Sequence, residues 1–304
     1  MSTQSNAMTE LARSADVMAP DTPWSHRFYW SVRRELWEFR SIYLVQFAVA
    51  GIFLFGFLLS LIRLPHKMNR LAGLDPMQQR QIIEQPFEFA AGMIMAAGFF
   101  VGIFYALEAL QSERRDRSIL FWKSLPVSDA TTVFAKASIP MVVIPALSFA
   151  IAVVVQVVMV ALSTIVLLAN GISLDVFFAN LPVFQIWVVL AYHLLVLHSL
   201  GFAPLYGWLL LVSGWARRVA FLWAALPLVA AGIIANVVFD SPNFFGFFAD
   251  APGGDGFTHG MMMEPMARIH PSEFFSSMML WVGLVIAAVL LSETIRLRRR
   301  RDPL

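Results

Sequence analysis

Residues 42–62 read IYLVQFAVAGIFLFGFLLSLI, the heart of 22 uncharged residues between Arg40 and Arg63. At about 1.5 Å of rise per residue, a helix of this length crosses a hydrocarbon core about 30 Å thick. The pattern recurs down the chain. Nineteen uncharged residues lie between Glu88 and Glu108, 38 run from Ala137 to Leu174, and 41 run from Val176 to Ala216. Two further stretches, Val219–Phe239 and Phe274–Ser292, close the series. In the third stretch no turn residue interrupts the run before Asn170-Gly171, so one long helix starting near Pro140 is expected. Splitting the fourth near Gly201 leaves a half too short to span, so it reads as one helix bent at Pro204. The expected spans are about 42–62, 88–110, 138–169, 181–212, 219–239 and 274–294.

Composition agrees. Of 304 residues, 59% are hydrophobic and 14% charged, against about 25% charged in a soluble domain. The charges cluster between the uncharged blocks. With no Cys in the chain, a disulfide framework, a thiolate metal site and a cysteine nucleophile are all excluded. Residues 1–23 are polar and lack the apolar core of a signal peptide, so they read as a tail. Residues 24–40 read as an amphipathic interfacial helix, 41–295 as the transmembrane domain and 296–304 as a basic tail.

Lysine and arginine set the orientation. With both termini in the cytoplasm, 17 basic residues lie inside, including Arg114, Arg115, Arg117, Lys123 and Lys136 of the loop 111–136. Five lie outside: Arg63, Lys67, Arg70, Arg80 and Arg268. The expected location is a bacterial inner membrane, with both ends cytoplasmic. The external loop 240–273 carries five acids against Arg268, with FFGFF and PGGDG, and reads as an irregular cap.

Two polar segments carry chemistry. In WSHRFYWSVRRELWEFRSIY (24–43), Trp24, Phe28, Val32, Leu36 and Tyr43 fall near one helical face. Rings beside arginines suit the headgroup layer. In the loop 111–136, a knot of charge (Glu113, Arg114, Arg115, Asp116, Arg117) leads into Ile119, Leu120, Phe121, Trp122 and Leu125. Pro126 stops the run, and Ser128 or Asp129 caps the next helix. Such a short apolar helix flanked by charge either lies on the membrane surface or docks in a partner's groove.

This loop resembles the coupling segment of ABC-2 type transporter permeases. There an acidic-basic cluster leads into an apolar stretch and a leucine-proline-valine-serine turn, and a lysine closes the segment. Glu113, Arg114, Leu125, Pro126, Val127, Ser128 and Lys136 match as they stand; Arg117 and Ala135 stand where many members have glycine. The resemblance is specific over residues 108–136. It implies an all-α membrane protein of six helices with an N-terminal elbow helix at 24–40 and a cytoplasmic coupling helix. The ATPase-coupling residues would be Glu113, Arg114, Arg115, Asp116, Arg117, Phe121, Trp122, Lys123, Leu125 and Pro126. The implied partners are a separate ATPase subunit in two copies, a second permease subunit (identical or related) and membrane lipids, with no nucleic acid. No cofactor is expected in this chain; ATP and Mg belong to the ATPase. The three lysines, Lys67, Lys123 and Lys136, do not follow glycine, so no phosphate-binding Gly-Lys-Ser/Thr loop exists here.

Inside the spans, Gln156, His193 and His198 are candidates for a substrate pathway, because ionisable or polar groups in lipid mark function by default. The plainer reading is hydrogen bonding between helices. Glu108 is within reach of Arg114 or Arg115. The segment HGMMMEPMARIH (259–270) has donors suited to Cu(I), but reads as an ordinary loop, and no metal site is expected. An intramembrane enzyme is the alternative class. It would need a nucleophile or a carboxylate–histidine set, and neither GxSxG, HExxH nor an intraspan Asp is present. A scaffold subunit is the third class. Neither is favoured by a motif.

Overall fold

A computed structural model describes residues 23–71, 73–115, 127–216, 218–239 and 271–300. The chain is all-helical, with no strand among the described residues. Helix α1 (Trp24–Glu38) passes through Phe39 and Arg40 into α2 (Ser41–Leu61). The short α3 (Leu64–Leu71) buries Met68 and Leu71. Next comes α4 (Pro76–Glu108), with Pro76 in the first turn, where its missing N–H is harmless. A turn at Ala109–Leu110 leads to α5 (Gln111–Arg115).

Past the loop, α6 (Asp129–Ser138) is capped by Ser128, whose hydroxyl accepts from the Thr131 N–H at 3.1 Å. A π-helical turn, Ile139–Val143, joins it to α7 (Ile144–Ala169). Pro140 lies inside this wider turn and Pro145 just after it, and neither can donate to the ladder. Gly171 ends this rod in the left-handed region, at φ 67, where glycine has no Cβ to strain.

After α8 (Asp175–Ala179) and α9 (Val183–Tyr192) comes a second π segment, His193–His198, then one turn, Ser199–Gly201. The run bends at Phe202, and α10 (Ala203–Trp215) continues it. Pro204 has no N–H to donate to Leu200 O, and that carbonyl accepts from the Phe202 N–H instead. Phe202 N donates to His198 O at 3.2 Å and Tyr206 N to Phe202 O at 3.0 Å, so the ladder holds on both sides. The last elements are α11 (Ala220–Phe239), α12 (Pro271–Ser276) and α13 (Met278–Arg300).

Among the described residues, five helical stretches are long and apolar enough to cross a membrane: Ser41–Leu61, Pro76–Arg115, Asp129–Ala169, Asp175–Gly201 and Met278–Arg300. Several outrun the apolar stretches that announce them. The second uncharged block is read from 88, yet its helix starts at Pro76. The last is read over 274–294, but α12 closes at Ser276 and α13 continues to Arg300, so residues 296–300 are helical.

Helices α2, α4 and α7 pack on one another, and α10 packs chiefly along α13 and α4. One apolar cluster gathers Met68, Leu71, Phe87, Met159, Leu167 and Phe177 towards one end. A second gathers Tyr105, Ala137, Ile139, Tyr206 and Leu210 towards the other. Glycine allows the closest approaches. A Cβ on Gly207 would lie 3.3 Å from Leu290 Cβ, and one on Gly102 3.0 Å from the Tyr206 hydroxyl. Around the outside Ile52, Phe55, Val154 and Val285 are each more than 60% exposed. An apolar exterior around buried polar groups is the surface a lipid-solvated bundle presents.

Candidate functional site

At the end of the bundle where α4 finishes and α6 begins, charged groups are buried together. Lys136 and Glu113 have no exposed side-chain surface, and Glu35 and Arg298 almost none. Lys136 Nζ donates to both Glu35 oxygens, at 2.9 and 3.0 Å, and lies 3.1 Å from Glu113 Oε1. Glu113 Oε1 also accepts from Arg34 Nη2 at 2.9 Å, while Oε2 accepts from Arg298 Nη1 at 2.7 Å. Arg298 Nε donates to Asp129 Oδ1 at 3.0 Å, and the Tyr105 hydroxyl donates to Glu35 Oε2 at 2.8 Å. Among the described residues, three cations thus face three carboxylates. A buried ion in a medium of low dielectric must be matched in this way, since desolvation alone costs several kcal/mol per ion.

Local sequence explains how each group arrives. Phe28, Val32, Glu35, Phe39 and Ile42 recur at helical spacing and form the ridge of α1 and early α2 that turns inward. Glu35 is the one acid on that ridge. Lys136 lies a turn from the end of α6, and Arg298 is near the end of α13. The turn before α5 is fastened by Ser213, whose hydroxyl accepts from the backbone N–H groups of Leu110 and Gln111 at 3.0 and 3.1 Å. Arg114 Nη1 donates to Gly214 O at 2.8 Å, capping the carbonyl end of α10 where positive charge is favoured.

The electrostatics at the rim have opposite signs. Burial works against the charge of Arg34, but Glu35 and Glu113 overcome it and raise its pKa. Burial first, then the neighbouring Glu35 charge, raise the pKa of Glu38, although Arg34 lies 3.8 Å away.

Of the residues singled out in the sequence, Glu113 is central to this cluster. Arg114 is tied to α10, and Arg115 is exposed, 3.8 Å from Glu108. Asp116, Arg117, Phe121, Trp122, Lys123, Leu125 and Pro126 lie outside the described residues, as does the segment 259–270. Gln156 joins helices: its Nε2 donates to Phe87 O at 3.0 Å, and its Oε1 accepts from Trp187 Nε1 at 2.8 Å. His193 Nδ1 is 2.8 Å from Val189 O, one turn back. His198 Nε2 is 3.0 Å from the Tyr206 hydroxyl, beside Phe99 and Phe202. These three are engaged at separate places and do not converge on one site. Trp24, placed on the apolar face by spacing, is 59% exposed, with its ring stacked on Phe28.

Sequence reasoning did not assemble Glu35, Arg34, Tyr105, Asp129 and Arg298 into a site. The available signal was Glu35, a carboxylate interrupting an apolar ridge. No family model, no curated protein and no solved structure matches this chain.

Proposed function

We propose that this chain is the membrane-embedded permease half of an ATP-binding-cassette exporter, driven by a separate ATPase that docks at the end bearing the ion cluster. One observation carries the reading. Glu113 and Lys136 are two of the residues by which the loop resembles an ABC-2 coupling segment, and they meet 3.1 Å apart in the cluster. The described residues on either side of 116–126 are therefore held at a single buried knot. Because that knot also holds α1 and α13, a load on the loop reaches the second, third and last spans together.

The same contacts support six crossings and a common side for both ends. Glu35 meets Lys136 after two crossings, α2 and α4. From Asp129 to its partner Arg298 the chain must cross an even number of times. Asp129–Ala169, Asp175–Trp215 and Met278–Arg300 make three, and α11, with 20 residues, supplies a fourth. The excess of basic residues assigns that side to the cytoplasm. On this reading α1 is the elbow helix, two permease subunits enclose the pathway, and ATP with Mg is bound by the partner.

The test is to replace Phe121 and Trp122 by Ala. Aromatic anchors dominate interfaces of this kind, so the double variant should insert and accumulate yet lose its ATPase on purification and lose transport. Coupled transport surviving in that variant, or failure of the native chain to retain any ATPase, overturns the proposal.

A further inference from the structure

Opposite the buried ridge of α1, rotated by about 200° at 100° per residue, runs a second ridge: His26, Trp30, Arg33, Trp37 and Arg40. Trp30 is 46% exposed and Trp37 65%. The Arg33 guanidinium carbon lies 4.8 Å from the ring centroid of each indole, so the cation is held between two tryptophans one turn either side of it. Trp30 is itself fixed by a hydrogen bond from its Nε1 to His26 Nε2 at 2.9 Å.

We propose that this ridge is a binding surface for the headgroups of anionic phospholipids. Depth is set by connectivity: only Phe39 and Arg40 separate α1 from the apolar α2, which keeps the ridge at the headgroup layer. The sign of charge is set by segregation. Both acids of α1, Glu35 and Glu38, lie against Arg34, leaving Arg33 and Arg40 as the charges of the outward ridge. A guanidinium stacked between rings gives up little hydration and little freedom on binding. Its N–H edge stays open for a bidentate contact with phosphate. Exposed indoles alone would suit any bilayer; the stacked arginine adds a preference for anionic lipid. The inference does not depend on the exporter reading, and its failure would leave that reading intact.

The full-length protein is placed in nanodiscs, and association of spin-labelled phosphatidylglycerol is compared with that of spin-labelled phosphatidylcholine. The native chain should enrich phosphatidylglycerol, Arg33→Gln should reduce the enrichment about fivefold, and Arg33→Lys should fall between. Melting in phosphatidylcholine alone should be the same for all three. If Arg33→Gln lowers that melting, Arg40→Gln on the same ridge carries the test. Equal enrichment in native and variant chains, or none in the native chain, overturns the proposal. So does unchanged lipid selectivity accompanied by loss of a protein partner from native membranes, which would make the ridge a protein contact.

Discussion

Lys136 divides its donors between Glu35 and Glu113 with no exposed side-chain surface, so the consequences of losing it are defined. Lys136→Met leaves the carboxylates of Glu35, Glu113 and Asp129 against Arg34 and Arg298, one buried charge in excess, and should destabilise the protein by about 3–5 kcal/mol. Adding Glu35→Gln removes the excess charge, so the double variant should be more stable than the sum of the singles, by about 0.5–3 kcal/mol. Unfolding in detergent measures both, and strict additivity would show that the pair is not coupled. Glu38 should behave in the opposite way. Its pKa is raised in the fold, so the protonated form is favoured there, and this contribution is lost as pH rises through the folded pKa. Glu38→Gln should therefore melt above the native protein near neutral pH, with the gain vanishing below about pH 4.3, where the unfolded carboxyl is protonated too. A lower melting point at neutral pH would refute the assigned sign. The sequence marks each of these charges as lying near the end of a span, but their pairing links positions up to 185 residues apart. No local period encodes that. Glu35, on an apolar ridge, is the exception that spacing alone exposes.

At the level of elements, the contact between α4 and α7 turns on one absent side chain. A Cβ at Gly98 would come within 2.5 Å of the Ser148 hydroxyl, which donates to Gln46 Oε1 at 3.0 Å. Gly98→Ala should push Ser148 off Gln46 and cost about 0.6–2 kcal/mol. Ser148→Ala alone should cost a similar amount, and the double variant little more than either, because the clash and the bond disappear together. Melting of the three variants decides it; a fully additive double would show that Gly98 does not act through Ser148. Hydropathy locates these helices well, since it registers which residues meet lipid. It does not register helix length. Gln78, Arg80 and Glu84 belong to α4, which runs on through Pro86 into the apolar block. The Asn170-Gly171 stop was legible for the converse reason, as a left-handed glycine is a local event. The π segment at His193–His198 was not, for its residues alone contain no breaker.

For the whole molecule, the ion cluster acts as a parity rule, and parity can be measured on a chain with no native Cys. Single cysteines at Trp122 and Arg299 should react with an impermeant reagent only from the side opposite to Asn170→Cys. If 122 and 299 label from opposite sides, the number of crossings is odd, and both the sixth span and the cytoplasmic docking of an ATPase fall with it. Fold class and membrane character were readable from uncharged blocks alone. A shared side for the two termini belongs to the proposed topology, which rests on the charge bias and on the contacts of Glu35 and Arg298.

The cluster also imposes an order on biogenesis. Glu35 leaves the ribosome first, Glu113 and Lys136 follow, and Arg298 comes last of the four. Until then Glu113 lacks its contact with Arg298, and α1 and α13 cannot be locked to the same knot. A chain ending at residue 292 thus keeps every apolar stretch needed for insertion while Glu113 and Asp129 lack the Arg298 guanidinium. Membrane quality-control proteases should distinguish it from the finished product, and pulse-labelled chains ending before Arg298 should turn over faster than full-length chains made at the same rate.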